Sequence, residues 1–371
     1  MPGMPLWDIF LYNWRNPGNW PKPCVQKGSA LSWLGGMRRF KQMAEANKSA
    51  AGGEKILLRA GGCSVTILPH LGGKIASILV NGRELLQAPL AAYAPRTQSI
   101  AFDVGDASGW DECMPSVAGC TVETADGPVN VPDHGDLWRV VWTEDGSGHG
   151  GHEAGVARGG SVTLRGECFS LPLMLERTLL LTEKGKGWRL SLDYTVTNTG
   201  GTTIPWAWSA HPLFASEAGD KIVLPETIHE LRLEGSGGGR LGKSGAKIAW
   251  PVVKLGMLGK TDLSLVEPPK SGIGDKLFAG PLGAKENWCA LERPKAGIRI
   301  KVGFDTATTP YLGLWICSGG WPERKGPKQM CVAMEPATAP VDSLAVTGPW
   351  SRELSSGQSD FWPMTVDIQT L

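Results

Sequence analysis

Residues 172–198, PLMLERTLLLTEKGKGWRLSLDYTVTN, constrain this chain more than any other stretch. An apolar run, LMLERTLLL, meets a turn at Lys184-Gly185-Lys186-Gly187. The chain then returns with Leu190, Leu192, Tyr194 and Val196 alternating against Ser191, Asp193, Thr195 and Thr197. Successive strand side chains point to opposite faces, so this period of two predicts a hairpin with one buried and one polar face. Earlier, EKILLRAGGCSVTILPHLGGKIASILVNGRELLQ holds three short apolar runs divided by Gly-Gly, Leu-Gly-Gly and Asn-Gly. Asn-Gly is the strongest short hairpin signal. AGIRIKVGFDT, YLGLWIC and MCVAME read as further strands, and few stretches carry helical periodicity. With 50 Gly and 27 Pro to make turns, the expected architecture is all-β: one large antiparallel β-sandwich.

Residues 1–54 read differently. They hold four Trp, several Pro and a basic piece, GGMRRFKQMAEANKSAAGG, and they end in a Gly-rich linker. We read them as an N-terminal extension, and residues 55–371 as the β domain. The 37 basic and 36 acidic residues leave a net charge of +1. That balance, with no basic interleaving of aromatics, argues against nucleic acid as a partner. No apolar run of about 18 residues predicts a membrane span. The N-terminus lacks the early basic region of a signal peptide. Eight Cys are scattered without a CxxC pair. They read as reduced core residues, which points to the cytoplasm.

Several residues carry chemistry. His134 sits in the turn of VPDHGDLWRVVW, close to two tryptophans; it is either an exposed loop histidine or the rim of a site. His211, in PWAWSAHPLFAS, precedes Pro212 and is pushed toward extended geometry at a strand end. A semi-buried histidine there suits acid–base work near neutral pH. Glu335, in QMCVAMEPATAP, ends an apolar strand. It is costly to bury alone, so it has a partner or reaches a cleft. Asp111 and Glu112 of GWDECMPSV are adjacent on a strand and face opposite ways, which argues against a paired-carboxylate site; one of them is available for sugar hydroxyls. His149, His152 and Glu153 of GHGGHE suggest a metal, but the glycine-rich loop is costly to order and a solvated loop is the better reading. No phosphate-binding, dinucleotide or GxSxG motif is present.

Taken in order, SVTILPHLGGKIASILVNGRELL, GWDECMPSV, PDHGDLWRVVW, LERTLLLTEKGKGWRLSLDYTVTNTG with AWSAHPLF, and CVAMEPATAPVDSL resemble the aldose 1-epimerase (galactose mutarotase-like) family over roughly 300 residues. That resemblance implies a galactose mutarotase-like supersandwich and a cofactor-independent isomerase acting on a small sugar. It implies Glu335 as the base at the anomeric hydroxyl, His211 as the acid at the ring oxygen, and His134 as a hydrogen-bonding aid beside it. Trp138, Trp110 and Trp315 are candidates for stacking on the sugar, with core packing as the alternative for each. Arg96, Asp111 and Asp305 are candidates for gripping hydroxyls. A hexose-6-phosphate substrate would need cations such as Arg96 and Arg139 beside the cleft. A binding sandwich without turnover would not need Glu335 beside a histidine.

Overall fold

The computed structural model describes residues 54–105, 107–145, 158–255 and 259–371. The extension up to Gly53, Cys24 within it, and the GHGGHE loop lie outside the described residues. Among the described residues strands dominate, joined by short turns, five three-residue 3-10 helices and one four-residue α-helix, Phe102–Gly105. Among the described residues they form a 12-stranded sheet, an 8-stranded sheet and three two-stranded ribbons.

The hairpin read from residues 172–198 is present. Leu173–Lys184 pairs with Gly187–Asn198 from Leu173↔Asn198 to Lys184↔Gly187. Gly185 takes the positive φ, 60°, that the tight turn requires. Leu190, Leu192, Tyr194 and Val196 are fully buried, as the alternation predicts. The hairpin pairs on with Ser359–Thr370, and that strand with Ile298–Phe304, in the smaller sheet. The Asn81-Gly82 turn joins Lys74–Val80 to Arg83–Glu84, with both residues at positive φ, the conformation that selects Asn-Gly in hairpins.

The middle of the larger sheet runs Ile273–Ala279, Tyr311–Ser318, Met330–Ala337, Ser209–Ala215, Trp110–Cys113, Lys74–Val80. Neighbours along this run are antiparallel. Their even-numbered residues in the central strands, among them Leu312, Leu314, Val332, Met334 and Phe214, join Leu179, Leu192, Val302 and Val366 of the smaller sheet in one buried cluster. The odd-numbered residues therefore look the other way, and this outer face carries the site.

Glu112 shows how firmly the inner face is tied. Its carboxylate, fully buried, accepts from Arg177 at 2.8 Å, Tyr194 at 3.0 Å and the Trp208 indole at 2.9 Å. The seven described cysteines are free thiols, five of them buried.

Candidate active site

The strand ladder assembles the site from residues far apart in sequence. Ser209↔Ala337 and Leu213↔Ala333 bracket His211 and Glu335, setting them side by side on the outer face. His211 Nε2 lies 3.9 Å from Glu335 Oε1. On the far side of His211 the ladder places Asp111, whose carboxylate is bonded to Lys74 at 2.6 Å. On the far side of Glu335 lies Lys276, whose ammonium donates to Glu335 Oε2 and stands 3.7 Å from Asp342. One row of side chains thus runs Lys74, Asp111, His211, Glu335, Lys276 across the sheet. Glu335 is completely buried and His211 nearly so. Among the described residues Glu335 Oε1 and His211 Nδ1 have no hydrogen-bond partner. Core indoles such as those of Trp110 and Trp362 share this lack; what sets these two atoms apart is their place side by side on the outer face, where a ligand or water can meet them.

His134 reaches the same place from a loop. Its φ is +59°, a left-handed conformation that His tolerates better than most residues. The next residue, Gly135, has φ +69°, and a Cβ there would meet the Met114 carbonyl oxygen at 2.2 Å. The turn is fastened at several points. His134 N–H donates to the Val117 carbonyl at 2.5 Å, and Asp136 N–H to that of Met114 at 2.7 Å. The amides of Val117 and Ala118 in turn donate to the Asp342 carbonyl at 2.9 and 2.7 Å. The segments GWDECMPSV, PDHG and EPATAPVD are therefore bound to one another. The His134 ring stacks on Phe102, with centroids 3.8 Å apart and planes 6° apart, and meets the His211 ring edge-on at 5.3 Å. Its Nδ1 lies 2.8 Å from the Asp133 carboxylate. An ionised carboxylate only accepts, so Nδ1 is the donor in this pair.

The electrostatics follow from burial. Desolvation pushes the His211 imidazole well below its usual range, and positive charge on His134, Lys276 and Lys74 presses the same way. Burial would also lower Lys276, but Asp342 and Glu335 outweigh it and hold the ammonium above its usual range. Burial raises the Asp342 carboxyl; Lys276 pulls it back, and the charge of Glu335 adds to the rise.

The three residues expected to act, Glu335, His211 and His134, are thus brought together. Trp315 shares their face of the sheet, half-buried, with its indole donating to Gln329 at 3.1 Å. The other expected contacts have these surroundings. Asp111 is buried, with one carboxylate oxygen in an ion pair with Lys74. Trp138, 1% exposed, lies beneath the guanidiniums of Arg96 and Arg139, 4.9 and 4.2 Å from its ring, and edge-on to Phe102 at 5.2 Å. It supports the ring under His134. Trp110 is wholly buried in the core. Asp305 accepts from the amides of Ala307 and Thr308 in a turn after Ile298–Phe304, on the smaller sheet. Arg139, weighed above as a phosphate contact, donates to the carbonyls of Ile100, Asp133 and Gly135, so it clamps the His134 turn. Lys276, Asp342, Asp133 and Phe102 were not foreseen. Lys276 had one signal: a charge pair, Asp275-Lys276, inside the otherwise apolar IGDKLFA. The cost of burial that singled out Glu335 applies to it equally.

No protein-family model matches the sequence, and no curated protein matches it. Solved structures do. The Slr1438 protein from Synechocystis superposes with a TM-score of 0.61 at 16% identity, covering 86% of this chain and 96% of that one. A galactose mutarotase-like protein from Lactobacillus casei gives 0.58 at 15%, covering 85% and 100%. An aldose epimerase homologue from C. elegans gives 0.57 at 13%, covering 85% and 99%. The chain has the galactose mutarotase-like fold. Identities this low carry the architecture alone, and the mutarotase-like sandwich agrees with the all-β reading of the sequence.

Proposed function

We propose that this chain is an aldose 1-epimerase, interconverting the α and β anomers of a free hexose or related sugar. The observation that carries the reading is the buried pairing of Glu335 and His211, each with a polar atom that no described residue satisfies, beside a loop-borne histidine. Opening a hemiacetal requires a proton removed at O1 and one supplied at the ring oxygen. Glu335 takes the O1 proton. The O1 electron pair forms the C1=O1 double bond as the bond from C1 to the ring oxygen breaks, and the ring oxygen takes a proton from His211. Burial disfavours the charged form of His211, so its imidazolium, when formed, gives up that proton readily. His134 hydrogen-bonds beside the ring oxygen, with Asp133 holding its Nδ1 proton. Rotation about C1–C2 and the reverse steps yield the other anomer. Every proton is exchanged with these side chains, and the scheme needs no redox step. Trp315 offers an apolar indole face to sugar C–H groups.

The test is anomer exchange, by polarimetry or NMR, across a panel of aldoses and their 6-phosphates. Glu335→Gln keeps the shape and removes the base. Its rate should fall roughly a hundredfold to ten-thousandfold. A folded wild type that accelerates no sugar on the panel would sink the reading and leave a sugar-binding sandwich.

A further inference from the structure

Lys276 and Glu335 belong to strands that do not touch. The Tyr311–Ser318 strand lies between them, so their backbones are roughly 9–10 Å apart. For the ammonium to reach the carboxylate, the intervening position must be bare. Gly313 is the residue directly opposite Glu335. A Cβ on Gly313 would stand 3.1 Å from Glu335 Oε2 and 3.1 Å from the Phe278 ring. Phe278 lies across the ladder from Gly313 on its other side, and the Lys276 ammonium sits 5.2 Å from the Phe278 ring centroid. Asp342 faces the same ammonium from the segment that holds the His134 loop. The ion pair therefore occupies one oxygen of Glu335 and leaves the other, Oε1, on the His211 side.

We propose that Lys276, reaching across the gap left by Gly313, is the positioning residue of the base: its ammonium holds Oε2 and so turns Oε1 toward the anomeric hydroxyl. The proposal rests on the epimerase reading for its consequence, but the ion pair can be tested without it. A purely structural salt bridge would stabilise the sheet, and replacing Lys276 would then leave kcat of the folded protein unchanged. A positioning lysine makes the acid limb of the rate profile depend on residue 276.

The experiment compares wild type, Lys276→Met, Lys276→Arg and Gly313→Ala, each in the full chain. Anomer exchange is followed against pH for kcat and KM. In parallel, the Glu335 carboxyl carbon is titrated by NMR in glutamate-labelled protein, assigned by its loss in Glu335→Gln. Lys276→Met should lower kcat by about tenfold to a hundredfold with little change in KM. It should also move the acid limb and the Glu335 titration upward, the direction expected when a neighbouring cation is removed. Lys276→Arg should restore much of the pH profile. Gly313→Ala, which keeps the charge but crowds Oε2, should lower kcat in the same direction. If Lys276→Met does not fold, kcat of Gly313→Ala decides: an unchanged kcat in that folded variant overturns the proposal. An unmoved titration in folded Lys276→Met overturns it as well. Wild type inactive on every sugar, with the titration still shifted in Lys276→Met, removes the epimerase reading and upholds the ion pair.

Discussion

His211 is enclosed by the sheet, by Phe102 edge-on at 5.4 Å and by the His134 ring, and this enclosure has a thermodynamic price in acid. Its folded proton affinity lies well below the ordinary histidine value of 6.5, which it regains on unfolding. Below about pH 6.5 the unfolded chain therefore binds a proton that the folded chain refuses, and stability falls as pH falls until the folded group also titrates. His211→Gln removes this linkage. Urea unfolding at about pH 7.5 and about pH 5.5 should show a smaller stability loss in the variant than in wild type. An equal loss in both would mean that other groups carry the acid sensitivity. Phe102 gives His134 its rigidity, since a ring stacked at 3.8 Å leaves the imidazole little freedom to swing.

The turn Pro132–Gly135 is the most demanding piece of backbone near the site. Two consecutive residues, His134 and Gly135, lie at positive φ, and Gly135 packs its α-carbon against the Met114 carbonyl. Gly135→Ala should cost about 3 kcal/mol, from left-handed strain and the displaced backbone together. Denaturant unfolding checks this, and a loss below about 1 kcal/mol would mean that the turn relaxes. Such a turn was legible in sequence as Asp-His-Gly after Pro, and the strands were legible wherever burial alternates, as in Gly187–Asn198. The strand Ile273–Ala279 was less so. It is buried on both faces, so it has no polar period to mark which side chains face the site. Lys276 finds its partner 59 residues away, a separation that no local pattern encodes. Trp138 and Asp111 show a related limit of local pattern: a tryptophan or an acid near a catalytic motif looks the same in sequence whether it faces the sugar or props up the residue that does.

Across the molecule, two sheets share one apolar interior, and the larger sheet presents its outer face to the chemistry. The sequence showed the sandwich because hydrophobic alternation, where a strand has one, is written within that strand alone. It did not show strand order, which is set by pairings between distant segments. That order puts the Glu335 strand between Tyr311–Ser318 and Ser209–Ala215, with further strands beyond each. The acting side chains of Glu335 and His211 therefore hang on interior strands, Glu335 opposite Gly313 and His211 opposite Asp111, unlike a site built on lids. Backbone of that kind exchanges its amide hydrogens with solvent only when the whole sheet opens. The amides of Val332 to Met334 should exchange at the rate of global unfolding, and heat inactivation should coincide with melting. For this protein, losing the reaction and losing the fold would be a single event.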